Sequence, residues 1–370
     1  MKLAYISQGY SPHDLRFLRA LTAHGAEVFF LSLPGGTRES RPVPDGVETH
    51  FLSAAAERPG FPGRAALRRL AAWRPDVMLA GPLHTGAVLA SALRRVPLVA
   101  MSHGFDLLYV LPASGAARRR IAHALQRADG FFADCPALLA AGKRLRDFPD
   151  DATVCLPWGI EGGADEAGLA RGAALRRSLG WDSATVLVSL RNWEPVYAVP
   201  EPLAAFAESA AQHDGLRLIL GGSGSQRAAV RQLIRELNLT DKVHCPGSVP
   251  ESEVWTLLGA ADGYVSSARS DGSSISLLQA MAAGLPALVQ DTGGNRDWIS
   301  EGVHGWFFAV DAAATFARAV DRFVEACPRW QEIAQASRSR VASEANWGEN
   351  QKRLIAFLET IARRNAVQPA

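Results

Sequence analysis

Residues 270–286 combine an acidic residue, a loop of small residues and an amide in an order that suits a phosphorylated ligand. The loop leads into a predicted helix that begins near Ser274 and ends at a Gly and a Pro. A helix N-terminus has free N–H groups and the positive end of the helix dipole, and both favour an anion. Asp271 precedes this helix and Gln279 lies eight positions further on, so one could face a sugar while the other reaches a ribose. The alternative is structural: Ser274, or the serine before it, only caps the helix, and Gln279 is only a polar helix residue.

Three further turns with polar or glycine-rich sequences follow predicted strands of the second half. They contain Arg191, Gly222 and the pair Ser248–Val249. A guanidinium stays charged and can bind phosphate in a bidentate manner, so Arg191 is suited to a phosphate; a surface ion pair is the alternative. The turn at Gly222 does not match a dinucleotide-binding fingerprint, because Arg227 stands where the third glycine should be.

Two turns in the first half carry residues that could meet a second substrate. His103 and Asp106 follow a predicted strand, and imidazole has the titration range for a polar catalytic contact. A buried histidine with internal hydrogen bonds is the alternative. Gly9 follows the first strand, and His13 and Asp14 come next, where they could cap a helix or meet the substrate.

The elements that position these residues alternate between short apolar strands and amphipathic helices, which predicts βαβ units and parallel sheets. Predicted strands of the first half are Leu3–Ser7, Glu27–Leu33, Val47–Leu52, Val77–Gly81, Leu98–Ser102, Gly130–Ala133 and Val154–Leu156, with helices at Asp14–His24 and Arg64–Trp73. Predicted strands of the second half are Thr185–Leu190, Arg217–Leu220, Lys242–Cys245, Gly263–Val265 and Ala287–Gln290, with helices at Pro202–Gln212, Arg227–Leu237, Ser252–Leu258, Ser274–Ala283 and Glu349–Arg364.

We therefore predict an α/β protein with two Rossmann-like, doubly wound parallel-sheet domains that face each other across a cleft. The expected boundaries are 1–157 for the first domain, 158–182 for a linker and 183–344 for the second domain. A C-terminal helix at about 345–370 is expected to pack back on the first domain.

The composition is that of an ordinary soluble globular protein. The chain has 370 residues, 48% of them hydrophobic and 21% charged, and a net charge of +2, which is too small to indicate nucleic-acid binding. Four cysteines without a CxxC pair indicate reduced cytosolic thiols rather than disulfides or zinc. We expect a cytoplasmic protein. Two arginine clusters, at residues 64–74 and 118–120, are either solvated helix faces or a surface for anionic lipid at the inner face of the membrane or for an acidic acceptor.

The string from Asp271 to Pro286 resembles the nucleotide-sugar signature of glycosyltransferase family 4, whose members have the GT-B architecture. Ala280-Met281-Ala282 and Gly284-Leu285-Pro286 match the continuation of the family helix. The resemblance implies a retaining glycosyltransferase that moves a sugar from a nucleotide-diphosphate sugar to a glycan, a lipid-linked molecule or another hydroxyl acceptor, as in polysaccharide biosynthesis. It implies no metal and no cofactor besides the donor.

The resemblance also implies roles for single residues. Asp271 would contact sugar hydroxyls, Arg191 would face the diphosphate, and His103 would be a polar contact to the donor sugar or acceptor. Gly9, His13 and Asp106 would lie on the acceptor side. The donor-binding set implied by the resemblance comprises Gly222, Ser248, Val249, Ser274, Ile275, Ser276, Leu277 and Gln279.

The sequence departs from the family pattern at two positions. The second acidic residue of the signature is Gln279, and Val196 and Tyr197 stand where a phosphate-binding Lys is usual. These departures keep a catalytically weak nucleotide-sugar-binding subunit as an alternative. A nucleotide-sugar epimerase of the same architecture is a second alternative.

Overall fold

The computed structural model describes residues 1–52, 64–161 and 164–366. The chain divides into two compact units, the first formed by Met1–Pro157 with Gly348–Ala370 and the second by Trp158–Trp347. Each unit contains one parallel β-sheet with its own buried apolar residues.

The first unit contains a seven-stranded sheet in the order β3-β2-β1-β4-β5-β6-β7. Its strands are β1 Lys2–Tyr10, β2 Glu27–Arg38, β3 Val47–Phe51, β4 Val77–Ala80, β5 Leu98–Met101, β6 Gly130–Ala133 and β7 Thr153–Cys155. Its helices are α1 Pro12–Ala23, α2 Arg64–Trp73, α3 Val88–Ala90, α4 Leu111–Ala113, α5 Gly115–Arg127 and α6 Pro136–Lys143. The central strands β4, β5 and β6 are buried on both faces, which explains their uninterrupted apolar sequences.

The second unit contains a six-stranded sheet in the order β10-β9-β8-β11-β12-β13. Its strands are β8 Thr185–Ser189, β9 Leu216–Gly221, β10 Val243–Gly247, β11 Gly263–Ser266, β12 Ala287–Gln290 and β13 Gly305–Phe308. Its helices are α7 Glu166–Ser178, α8 Leu203–Gln212, α9 Arg227–Glu236, α10 Glu251–Gly259, α11 Ile275–Ala283, α12 Gly293–Arg296, α13 Ala313–Glu325 and α14 Trp330–Glu344.

Both sheets reverse their winding direction at their centre, between β1 and β4 in the first and between β8 and β11 in the second. The prediction of two doubly wound α/β sheets is confirmed. At such a reversal, the loops that follow two neighbouring strands run in opposite directions. They form a crevice beyond the strand ends, where ligands of this fold class bind.

The residues that the sequence assigned to a linker lie in the second unit and form α7. Helix α7 packs closely on α10, since an added Cβ at Gly172 would lie 2.1 Å from the carbonyl carbon of Gly259. Glycines lie at this contact, where apolar side chains would have given the sequence the periodicity of a packed helix. This explains why the sequence pattern did not show its role.

The last helix, α15 Trp347–Ala366, packs on the first unit. Phe357 and Ile361 lie against Gly130 of β6, and the Asn350 side-chain amide donates a hydrogen bond of 3.0 Å to the Pro157 carbonyl. Arg364 pairs with Asp151 at the far end of the helix.

Candidate active site

The winding reversal of the second sheet brings together the two residues that the sequence singled out for phosphate and sugar. Arg191 lies two residues beyond the end of β8, and Asp271 lies five residues beyond the end of the neighbouring β11. Their Nη2 and Oδ2 atoms are 2.8 Å apart, so the guanidinium and the carboxylate form an ion pair.

The Arg191 side chain is also bound to the start of α11. Its Nη1 atom donates hydrogen bonds to Ser274 Oγ at 2.6 Å and to Ser276 Oγ at 3.1 Å. The ring of Tyr197 lies 4.2 Å from the guanidinium carbon, a cation–π contact. Arg191 is thus held on one face by an aromatic ring and at its edge by two hydroxyls and a carboxylate.

Burial and charge act in opposite directions on this pair. Burial lowers the pKa of Arg191, but Asp271 and the hydroxyls of Tyr197 and Tyr264 raise it, and the net pKa is above its ordinary value. Burial raises the pKa of Asp271 more than Arg191 and Ser274 lower it. The guanidinium therefore keeps its charge in a region with little water, where its attraction for an anion is stronger.

Ser274 occupies the N-cap position of α11, but its hydroxyl makes no hydrogen bond to the helix N–H groups. The structural alternative, in which this serine only caps the helix, is therefore wrong: the hydroxyl accepts from Arg191 instead. The first N–H groups of a helix lack intrahelical acceptors. The amides of Ile275, Ser276 and Leu277 belong to this uncapped first turn.

Neighbouring hydroxyls fix the start of α11. Tyr264 Oη lies 2.8 Å from Ser276 Oγ, and Trp298 Nε1 donates to Ser273 Oγ at 2.9 Å. An added Cβ at Gly294 would lie 2.4 Å from the Asp271 carbonyl, so α12 packs directly against this loop. The segment after β12 therefore contacts the loop that carries Asp271.

The loops after β8, β9 and β10 contact one another through glycines. Gly222 has φ +145°, and a Cβ there would lie 2.4 Å from the Arg191 carbonyl oxygen. Its amide donates to the Gly247 carbonyl at 2.7 Å. Ser248 is exposed and Val249 is half-buried just beyond this contact. The backbone carrying Arg191 can approach this turn only because residue 222 lacks a side chain.

Gln279 is half-buried on α11, one helical turn beyond the uncapped amides. Its side chain is therefore partly accessible to a ligand group that can pair with an amide.

The first unit carries the remaining predicted residues at the ends of β1 and β5. Burial lowers the pKa of His103, although Asp106 opposes this shift, and burial together with Arg16 lowers the pKa of His13 to about 4. Both imidazoles are therefore neutral near pH 7. Gly9 has φ +80°, and its carbonyl accepts a 2.7 Å hydrogen bond from the Ser32 hydroxyl.

Asp106 is fully buried, so the structure does not support a direct contact with an acceptor. Its carboxylate accepts hydrogen bonds from the Ser102 hydroxyl at 2.6 Å and from three backbone amides, those of Leu83, His103 and Leu107. The expected acceptor-side residue instead braces the loop that carries His103.

Asp14 has a comparable structural role. Together with Ser11 it forms a capping box at the start of α1, and it accepts a 2.8 Å hydrogen bond from Tyr5 Oη. Of the two roles that the sequence leaves open for the residues after β1, Asp14 has the capping one.

Two features of these sites were not predicted from the sequence. One is the pair of exposed rings Phe105 and Tyr109, which stack with centroids 5.0 Å apart on the turn after β5. The other is the contact of Tyr197 with Arg191. Aromatic residues at i and i+4 signal the first, whereas the second joins residues six apart in an irregular turn and has no simple sequence signal.

Family models match most of the chain in two parts. The model "Glycosyl transferases group 1" matches residues 173–340, and the model "Glycosyltransferase Family 4" matches residues 10–161. The chain belongs to the family 4-like glycosyltransferases of the GT-B fold. The group 1 match includes the whole Arg191–Asp271 site, and the resemblance seen in the signature string is confirmed.

Solved structures of other proteins share the fold of the chain. Anabaena HepE in complex with UDP has 17% identity and a TM-score of 0.78, with 97% of this chain and 100% of that chain covered. The catalytic domain of Arabidopsis thaliana starch synthase IV, bound to ADP and acarbose, has 14% identity and a TM-score of 0.72, with 98% of this chain and 100% of that chain covered.

Curated relatives match over different lengths. Sucrose synthase of Thermosynechococcus vestitus is 29% identical over 34% of this chain, but the match spans only 17% of that protein. An exopolysaccharide phosphotransferase of Streptomyces coelicolor is 30% identical, and the match again spans less than a fifth of it, 19%. Mycobacterium tuberculosis glycogen synthase is 25% identical over 94% of this chain and 92% of its own length.

Proposed function

We propose that this family member transfers a hexosyl group from a nucleotide-diphosphate sugar to a hydroxyl of a glycan or lipid-linked acceptor, with retention of configuration and without a metal. The observation that carries the proposal is the buried Arg191 guanidinium bonded to the first turn of α11 at the winding reversal. Neighbours of the same fold were solved with UDP and with ADP, which is consistent with a nucleotide ligand.

In the proposed reaction, the bond between the anomeric carbon and the diphosphate oxygen breaks, and negative charge grows on the departing diphosphate. Arg191 and the free amides of the first turn of α11 stabilise this charge in fixed positions. The acceptor oxygen bonds to the anomeric carbon on the face that the diphosphate leaves, and the diphosphate takes the acceptor proton. This geometry retains the configuration.

On the first unit, we propose that Gly9, His13 and His103 line the acceptor side. A neutral imidazole can accept a hydrogen bond from a hydroxyl through one nitrogen and donate one through the other. The buried Asp106 positions this loop through the amide of His103, at 3.2 Å, rather than contacting the acceptor.

The test compares Arg191→Lys and Arg191→Ala with Arg235→Ala, which removes an exposed arginine of α9 in the same unit. A panel of uridine, adenosine and guanosine diphosphate sugars supplies the donor, and thermal denaturation confirms that each variant is folded. We expect turnover to fall by about 100-fold or more in both Arg191 variants, as for removal of a preorganised charge-stabilising group, and to be unchanged in Arg235→Ala. Normal turnover of a folded Arg191→Ala variant would refute the role.

We also propose that the protein is cytoplasmic and touches the inner face of the membrane. In the described residues, no helix has the length and apolarity needed to cross a bilayer. Phe105 and Tyr109 are exposed on the turn before α5, and Arg118, Arg119 and Arg120 are exposed on α5. Cosedimentation with vesicles containing anionic phosphatidylglycerol tests this, and an equal yield with neutral phosphatidylcholine vesicles would contradict it.

A catalytically weak nucleotide-sugar-binding subunit is the second candidate, favoured by the Gln279 amide and by the aromatic Tyr197 at a usual lysine position. Such a subunit would bind donor in calorimetry but would show no turnover as a purified chain. Turnover by the purified chain with any donor and acceptor pair excludes it.

A further inference from the structure

The Arg191 guanidinium is largely buried and already has protein partners. Its side chain is 10% exposed, and its Nη2 atom is already paired with Asp271. Its Nε atom is buried and has no hydrogen-bond partner within the described residues. A phosphate that takes the position of the carboxylate on Nη2 must displace Asp271.

Of the groups bound to Arg191, Asp271 is the one that a phosphate can displace. The Ser274 and Ser276 hydroxyls lie at the start of α11, and Tyr264 Oη is 2.8 Å from Ser276 Oγ. The Asp271 side chain is 19% exposed, against 10% for Arg191, and lies in the loop before the helix. It is also the only one of these partners that carries a negative charge, so an incoming diphosphate competes with it directly.

We propose that Asp271 is a specificity-determining residue that exchanges partners when the donor binds: the diphosphate replaces it on Arg191, and the released carboxylate accepts hydrogen bonds from hydroxyls of the donor sugar. This inference rests on the proposed function. Separating a buried carboxylate from its cation costs free energy unless new hydrogen-bond donors pair with the carboxylate. A complete nucleotide sugar supplies those donors, whereas a nucleoside diphosphate does not.

The exchange makes the pocket prefer the substrate over the spent nucleotide. When free diphosphate binds, Asp271 loses Arg191 and gains nothing. When the nucleotide sugar binds, the sugar hydroxyls compensate. The carboxylate therefore weakens binding of the nucleoside diphosphate that would otherwise occupy the site after each turnover.

The test is a double-mutant cycle measured by calorimetry with UDP and UDP-glucose, or with ADP and ADP-glucose if these bind the wild type more tightly. The variants are Asp271→Asn, Arg191→Gln and their combination. Asp271→Asn should tighten binding of the nucleoside diphosphate about tenfold, or about 1.4 kcal/mol. It should also remove the preference for the nucleotide sugar. In the Arg191→Gln background, Asp271→Asn should change diphosphate affinity by less than twofold.

Two controls accompany the cycle. Asp271→Glu keeps the charge and should retain the preference for the nucleotide sugar. Asp321→Asn, which removes a carboxylate paired with His213 at 2.9 Å, should leave both affinities unchanged.

Each outcome decides the inference. An equal gain in the Arg191→Gln background would show simple charge repulsion between Asp271 and the phosphates, and would overturn the exchange. So would unchanged or weaker diphosphate binding by a folded Asp271→Asn variant. If the wild type binds neither ligand across the panel, the proposed function itself fails and this inference falls with it. If the wild type binds the ligands and Asp271→Asn does not change their affinities, only the exchange is contradicted.

Discussion

Arg191 shows what residue types alone can and cannot reveal. Its position after a strand predicts a phosphate ligand, and the winding reversal next to α11 is consistent with that role. Its ion pair with Asp271 could not be predicted, because the two residues are eighty positions apart and meet only through the pairing of β8 with β11. The stacking of Tyr197 on the guanidinium was missed for a similar reason, since it depends on the irregular turn at Pro195–Tyr197.

Gln279→Glu restores the acidic residue that the family signature has at this position. A carboxylate accepts stronger hydrogen bonds from two ribose hydroxyls than an amide does. We expect about fivefold to tenfold tighter binding of the nucleotide sugar by calorimetry. Gln212→Glu, at an exposed position at the end of α8, should have no effect. Equal affinities of Gln279→Glu and wild type would remove Gln279 from the ribose site.

Tyr197 is expected to hold the guanidinium flat against its ring. Tyr197→Ala should lower kcat/KM about tenfold, since a partly desolvated cation–π contact contributes about 1–2 kcal/mol. Tyr197→Phe keeps the ring and should retain nearly full activity. A loss of the same size in Tyr197→Phe would show that the hydroxyl, not the ring, is the important group.

His13 makes the stability of the first unit depend on pH. Its pKa is about 4 in the folded protein and about 6.5 in the unfolded chain. The unfolded chain therefore takes up a proton first as pH falls, so stability is full above pH 6.5 and is lost between pH 6.5 and about 4. His13→Gln should reduce the fall in free energy of unfolding over this range by up to about 3 kcal/mol. Chemical denaturation at pH 7 and pH 4.5 measures this, and identical falls in both proteins would contradict it.

At the scale of elements, apolar periodicity predicted the described strands well wherever they are buried on both faces. Gly130–Ala133 and Ala287–Gln290 have the predicted bounds. The pattern gave no prediction for β13 and for α13 and α14, which follow a loop of glycines and charges. It also did not predict that α7 is a packed helix, because the contacts of α7 with α10 are made by glycines instead of apolar side chains.

The packing of α7 on α10 should not tolerate a methyl group. An added Cβ at Gly172 would meet backbone atoms of Gly259 and Ala260, which cannot move aside without shifting a helix. Gly172→Ala should destabilise the second unit by about 2 kcal/mol or more despite the better helix propensity of alanine. Gly215→Ala, where an added Cβ meets nothing within 4 Å, is the matched control. Equal melting temperatures of the two variants would show that the helices separate without cost.

At the scale of the whole molecule, the sequence predicts two α/β units and the return of the last helix to the first unit. The second unit carries the more specific signals, because the proposed phosphate binding requires particular backbone geometry around Gly222 and Ser274. The first unit carries looser signals, since the proposed hydroxyl acceptor could be bound by many kinds of side chain. Two of its polar residues, Asp14 and Asp106, have structural roles.

In the proposed complex, the diphosphate of the donor is held by Arg191 and by the first amides of α11. The most direct measurement is a crystal structure of the full chain with a nucleotide-diphosphate sugar that binds in calorimetry. We predict phosphate oxygens within hydrogen-bond distance of the Arg191 guanidinium and of the Ser276 and Leu277 amides. Phosphates bound elsewhere on the molecule, with the start of α11 unoccupied, would contradict the account.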